Sequence, residues 1–148
     1  GYVYRREDFV FKEGIFAALR EFTKAGYALV VVTNQSGIGR GYYTLEQFDE
    51  LCGFMLSEFE KEGVKIEKIY FCPHAPEALC GCRKPKPGML IKAANELNID
   101  LARSIMIGDK DSDVQAGQSA GVGINLKLGD RLKSVADALE FLKKEGKI

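Results

Sequence analysis

The sequence has no tryptophan, a single histidine and no net charge, with 21 Lys+Arg against 21 Asp+Glu in 148 residues. Charge balance argues against a broad electrostatic grip on nucleic acid or on an anionic membrane. It leaves room for a local cationic cluster that holds one phosphate. No apolar run approaches the roughly 18–20 residues needed to cross a bilayer, and no secretory signal pattern is present, so the expectation is a soluble, cytoplasmic protein. What the chain does have is ordinary for a globular protein. Its apolar share is 46%, and the length fits one domain with a hydrophobic core.

Helical patterns alternate with short apolar strands, without an internal repeat or a linker. Ile15, Phe16, Leu19 and Phe22 recur at helical spacing and stop at Ala25-Gly26. Tyr27 to Thr33 is a continuous β-branched run, as expected of a strand buried on both faces. A loop with Gly37, Gly39 and Gly41 follows. Thr44-Leu45-Glu46-Gln47 is a capping box, continued by an apolar stripe of Phe48, Leu51, Cys52, Met55 and Phe59. Ile66–Phe71, Ser104–Gly108 and Val122–Leu126 read as further strands. Met89–Leu97, Asp113–Ala120 and Ser134–Lys144 read as helices. Strands spaced by helices predict an α/β fold, a three-layer, Rossmann-like, doubly wound parallel sheet. Ligands of such sheets bind beyond the carboxyl ends of the strands, where the polar motifs of this chain fall.

Cys72-Pro73-His74 and Cys80-Gly81-Cys82 form C-x-H-x5-C-x-C, inside a Pro- and Gly-rich loop from residue 72 to 88. Three thiolates and an imidazole suit tetrahedral Zn2+ in a closed structural site. A disulfide plus a free thiol is the competing arrangement, disfavoured in a cytosolic chain that places its one His two residues from a Cys. Cys52 reads as a plain core residue.

Thr33-Asn34-Gln35-Ser36 follows the first strand. It is either a strand end and turn, or a hydroxyl with backbone N–H groups aimed at a phosphoryl oxygen. Arg83-Lys84, directly after Cys82, is a solvated pair or an anion clamp fixed by the metal. In Gly108-Asp109-Lys110-Asp111-Ser112-Asp113 the carboxylates suit Mg2+, a hard cation, while Asp111 or Asp113 could cap the following helix. Both can hold, with Asp109 on the metal. No Ser-His-Asp or Cys-His pair is available, because His74 is committed to the cysteines.

The stretches Gly1-Tyr2-Val3, Val30–Gly41, Cys72-Pro73-His74, Cys80–Met89 and Ile107–Ala116 together resemble the haloacid dehalogenase-like (HAD-like) phosphatase superfamily. Within it they resemble the heptose-bisphosphate phosphatase family. The resemblance implies a HAD-like fold with a zinc loop over residues 72–88 and no large cap domain. It implies an Mg2+-dependent enzyme that removes the 7-phosphate of a heptose 1,7-bisphosphate in ADP- or GDP-heptose synthesis, through an aspartyl-phosphate. Thr33 and Lys84 would stabilise the phosphoryl group, and Asp109 would help to hold Mg2+. Cys72, His74, Cys80 and Cys82 would hold structural Zn2+. Gly1, Tyr2, Thr33, Asn34, Gln35, Ser36, Arg83, Lys84 and Lys110 would contact the substrate. The partner is a small sugar bisphosphate, not nucleic acid or membrane, and the protein is expected to be a monomer. Two departures stand out. The family's D-x-D motif, with both catalytic carboxylates on the central strand, is expected upstream of Gly1, so the natural protein is expected to be longer there. The five residues between His74 and Cys80 resemble histidinol-phosphate phosphatase, which is the alternative enzyme. A zinc-stapled binding module without catalysis is the alternative from another class.

Overall fold

A computed structural model describes residues 11–148; Gly1 and Tyr2, expected at the substrate, lie outside them. The elements are α1 (Ile15–Lys24), β1 (Leu29–Asn34), α2 (Ser36–Gly39), α3 (Leu45–Lys61), β2 (Ile66–Cys72), α4 (Gly88–Leu97), β3 (Ile105–Gly108), α5 (Asp111–Ala120), β4 (Ile124–Lys127) and α6 (Val135–Lys144). Local chemistry sets their ends. Thr44 Oγ1 accepts from Gln47 N at 3.1 Å, and Gln47 Oε1 accepts from Thr44 N at 2.8 Å, closing the capping box that starts α3. Gly63 (φ 75°) and Gly121 (φ 87°) take the left-handed conformation that ends α3 and α5.

Three boundaries differ from the sequence expectation by two residues. Tyr27 N still bonds back to Phe22 O at 3.1 Å, so it belongs to the end of α1, and β1 begins at Leu29. Val122 N bonds to Gly117 O at 2.9 Å and Gly123 N to Leu101 O at 3.1 Å, which delays β4 to Ile124. α5 starts at Asp111 rather than Asp113, with Lys110 as its cap residue. The glycine loop after β1 contains a single helical turn, α2.

β1 pairs with β2 and β3 with β4, both parallel, with Val32 opposite Tyr70 and Ile107 opposite Leu126. Alternate strand residues face opposite helical layers, as the pleat requires. Leu29, Ile105, Ile107, Ile124 and Leu126 pack on Ala18 and Phe22 of α1 and on Leu139 and Leu142 of α6. Val30 and Val32 pack on Met89 and Ala93 of α4, and Met106 packs on Leu90 of α4 and Ala116 of α5. Helices therefore cover both faces, giving the three-layer α/β architecture.

The expected single sheet is interrupted. Among the described residues β1 and β3 share no neighbour, and each belongs to a two-stranded pair. A cleft of about 780 Å3 lies there, lined by Val30, Val32, Ile105, Ile107, Phe22 and Leu90 among others. This explains a second difference. The apolar run predicts a strand buried on both faces, yet all residues of β1 and β3 are only half-buried. No helix among the described residues is long and apolar enough to cross a membrane.

Candidate active site

The end of β1 and the first turn of α5, which follows β3, meet at Lys84 in the loop after β2. Asn34, the last residue of β1, accepts a hydrogen bond from Lys84 N at 3.0 Å through Oδ1 and donates from Nδ2 to Lys84 O at 3.2 Å. The Lys84 ammonium donates to Val32 O at 3.0 Å and pairs with the Asp113 carboxylate. Gln35 N donates to Cys72 O at 2.7 Å. Every second peptide group of β1 therefore faces β2, and that of Val32 faces the cleft. Lys84 thus sits at the cleft's upper end.

The pair is well covered, with side-chain exposure of 10% for Lys84 and 6% for Asp113. Such a pair is tolerable only because other groups satisfy it. Val32 O takes one proton of Lys84, and Lys110 N donates to Asp113 Oδ2 at 3.1 Å. A Cβ on Gly108 would lie 2.3 Å from that same Oδ2, so glycine there lets the carboxylate lie against the end of β3.

Thr33 Oγ1 accepts from Gln35 Nε2 at 2.9 Å, and Gln35 Oε1 in turn accepts from the Tyr43 hydroxyl. This leaves the Thr33 proton only a long contact, 3.4 Å, with Asn34 O. The hydroxyl is therefore poised to donate to an incoming oxygen. Tyr43 is buried, and its ring lies where a Cβ on Gly37 would stand, 2.2 Å away. Ser36 is buried at the start of α2.

The ligand atoms of Cys72, His74, Cys80 and Cys82 all lie within 4.8 Å of one another, the sole such His/Cys/Asp/Glu cluster among the described residues. No disulfide joins them. Cys72 Sγ is 3.4 Å from Cys80 Sγ and 2.8 Å from Cys82 Sγ, and His74 Nδ1 is 3.4 Å from Cys72 Sγ. Tetrahedral Zn–S bonds of about 2.3 Å would set sulfurs roughly 3.8 Å apart, so a small expansion fits the cluster to zinc. The electrostatics agree. Burial raises the Cys80 thiol, but hydrogen bonds from Cys72, Arg83 and Cys82 bring it down to about 6. Burial and the neighbouring sulfurs push Cys82 up to about 12. A bound cation would favour the thiolate form of all three sulfurs. The loop is also latched to the glycine loop, since Gly39 N donates to Pro73 O at 2.8 Å.

The other expected residues are placed as follows. Arg83 is half-buried, and its Nη1 is buried without a hydrogen-bond partner. Asp109 and Lys110 are exposed beyond β3. Asp111 is exposed and pairs with Lys127 at 2.8 Å. Neither Asp111 nor Asp113 is the cap residue of α5; Asp113 reaches back to Lys110 N from the third helical position. Cys52 is half-buried rather than in the core, its thiol pushed up to about 11 by partial burial and by Asp49. Sequence reasoning missed Tyr43 and the pairing of Asp113 with Lys84. Tyr43 carried only a weak signal, as the residue preceding a capping box.

A HAD-hydrolase-like family model matches residues 81–133. The D-glycero-alpha-D-manno-heptose-1,7-bisphosphate 7-phosphatase of Campylobacter jejuni is 47% identical, over 97% of this chain and 88% of its own. The D-glycero-beta-D-manno-heptose-1,7-bisphosphate 7-phosphatase of Helicobacter pylori is 52% identical, over 86% and 74%. The crystal structure of the D,D-heptose 1,7-bisphosphate phosphatase of B. bronchiseptica, complexed with magnesium and phosphate, has a TM-score of 0.82 at 27% identity, covering 97% of this chain and 89% of its own. Identity at this level, along nearly the whole chain, places the protein in the HAD-like D-glycero-D-manno-heptose-1,7-bisphosphate 7-phosphatase family.

Proposed function

We propose that the protein hydrolyses the 7-phosphate of a D-glycero-D-manno-heptose 1,7-bisphosphate. The observation that carries this reading is the convergence on Lys84 of the end of β1 and the first turn of α5, with Thr33 and Arg83 beside them in the chain. Two of the three Lys84 protons are engaged by Val32 O and Asp113, and the third serves a phosphoryl oxygen. The Thr33 hydroxyl donates to another. An anion would also satisfy Arg83 Nη1, a buried donor that otherwise lacks a partner. Asp109 would be one oxygen ligand of Mg2+, which when bound neutralises phosphoryl charge. Cys72, His74, Cys80 and Cys82 would hold Zn2+ in a closed site that shapes the entrance and takes no part in the chemistry.

In this reading the cleft between β1 and β3 receives one more parallel strand. Its backbone pairs with the edges of both that have no strand partner among the described residues, and its carboxyl end emerges beside Thr33, Lys84 and Gly108. That strand carries the D-x-D motif. Its first carboxylate attacks phosphorus, the bond from phosphorus to the sugar C7 oxygen breaks, and the second carboxyl protonates the leaving alkoxide. Water, deprotonated by that second carboxylate, then cleaves the aspartyl-phosphate and releases inorganic phosphate.

Phosphate release by the full-length protein from the heptose bisphosphate and from histidinol phosphate tests the substrate; a wide margin for histidinol phosphate overturns it.

A further inference from the structure

We infer that the side chain of Asn34 is a positioning group that acts on the reaction through Lys84. The inference rests on the role proposed above for Lys84. Both polar atoms of the Asn34 amide are engaged by a single residue fifty positions away, with Lys84 N at 3.0 Å and Lys84 O at 3.2 Å. A primary amide is the one side chain of this size that offers an acceptor and a donor side by side, matching the N–H and C=O of one peptide residue. Asn34 is also well placed to act as a fixed point. Its backbone is the last rung of β1, opposite Cys72, and only two torsions separate that rung from the amide.

Lys84 needs such a point. It lies in the irregular stretch between Cys82, a metal-cluster residue, and the start of α4 at Gly88. Its ammonium is fixed at the far end by Val32 O and Asp113, and Asn34 fixes the near end. With both ends set, the long flexible side chain holds one conformation and its remaining proton keeps one direction. Releasing the near end lets the loop shift, and a displacement on the order of 1 Å at a group that holds the reacting phosphoryl lowers turnover by about 10²-fold.

The test is a double-mutant cycle in the full-length enzyme on the heptose bisphosphate, with kcat and KM measured separately. Asn34→Ala is expected to lower kcat by about 10- to 100-fold with little change in KM. Asn34→Asp keeps the acceptor for Lys84 N and is expected to lose less. In a Lys84→Ala background there is no ammonium to misplace, so adding Asn34→Ala should change kcat by no more than about twofold. Losses that multiply across the two sites overturn the inference, because a purely structural role or a direct substrate contact would give that result. A rise in KM at unchanged kcat in Asn34→Ala also overturns it. If Asn34→Ala does not fold, as judged by melting and zinc content, the cycle is run with Asn34→Asp and the same criteria. A Lys84→Ala enzyme with undiminished kcat refutes instead the role of Lys84 itself, which separates the failure of that reading from the failure of this one.

Discussion

Replacing Asp113 by Asn keeps the shape of the side chain and removes its charge, which isolates the electrostatic part of the Lys84–Asp113 pair. Lys84 then remains as a cation with 10% side-chain exposure, and only Val32 O and the neutral amide oxygen of the new side chain face it. Breaking a buried pair from one side costs about 3–5 kcal/mol, because the remaining charge has lost its partner and has no water. For a chain of 148 residues the unfolding entropy converts this to a fall in Tm of about 10–15 °C. Replacing both partners, Asp113→Asn with Lys84→Met, removes the stranded charge and should recover most of the loss. Thermal melting and urea titration of the wild type, the two single variants and the double variant close the cycle. Asp111→Asn is the internal control. That carboxylate also pairs with a lysine, but the side-chain exposures are 51% for Lys127 and 76% for Asp111, and a loss below about 1 kcal/mol is expected. A loss that small for Asp113→Asn, or no recovery in the double variant, would refute the claim that burial makes this pair matter.

Other perturbations read different parts of the fold. Cys80→Ser should drop bound zinc from one equivalent toward none and loosen the Arg83–Lys84 segment; zinc content by atomic emission checks it, and retained stoichiometry excludes Cys80 as a ligand. Gly88→Ala would place a Cβ 2.3 Å from Gly81 O, a backbone atom that cannot swing aside, so a destabilisation of about 1–3 kcal/mol is expected by urea titration. Leu142→Ala empties a fully buried site between α6 and α1 and should cost about 2–5 kcal/mol. Burial, then the hydrogen bond to Glu96 and its charge, push Tyr70 up to about 12. A folded value above the ordinary one near 10 means the stabilisation is complete below pH 10 and lost as pH climbs toward 12. Tyr70→Phe should therefore show a flatter alkaline decline than the wild type in denaturation curves across that range.

Elements with strong local signals were legible in the sequence. The capping box at Thr44, the glycine stops at Gly63 and Gly121 and the Ser134 cap each act within a few residues, so periodicity and spacing reveal them. The Cys/His cluster was legible for the same reason: four candidate ligands within eleven residues leave few ways to fold the loop. Boundaries slipped where a helix end borrows the first residues of the next strand, as Tyr27 and Val122 do through their bonds to Phe22 and Gly117. Half-burial of β1 was not legible, because a run of valines reads alike whether its edge meets another strand or a cleft.

The candidate residues were legible in the sequence, and their mutual contacts were not. Thr33, Asn34, Arg83, Lys84 and Asp113 all stand out as polar residues next to apolar strands or metal ligands, yet sequence distance hides which of them meet. Asn34 and Lys84 are fifty residues apart, and Lys84 and Asp113 twenty-nine. The contacts change the argument about each residue. The Asn34 amide bonds the backbone of Lys84 through both its polar atoms. Asp113 looked like a helix cap, and it does accept from Lys110 N, but its other oxygen holds the ammonium of Lys84. The zinc loop, with its Cys82 two residues from Lys84, then has a physical reason to sit where it does. A long cationic side chain needs both a fixed root and a fixed tip to present one proton in one direction. Cys82 and Asn34 supply the root, and Asp113 and Val32 supply the tip. Removing zinc from the Cys/His cluster should therefore lower kcat in the same way as loosening Asn34. Equal kcat for zinc-depleted and zinc-replete enzyme, at matched Mg2+, would break that chain of reasoning at its first link.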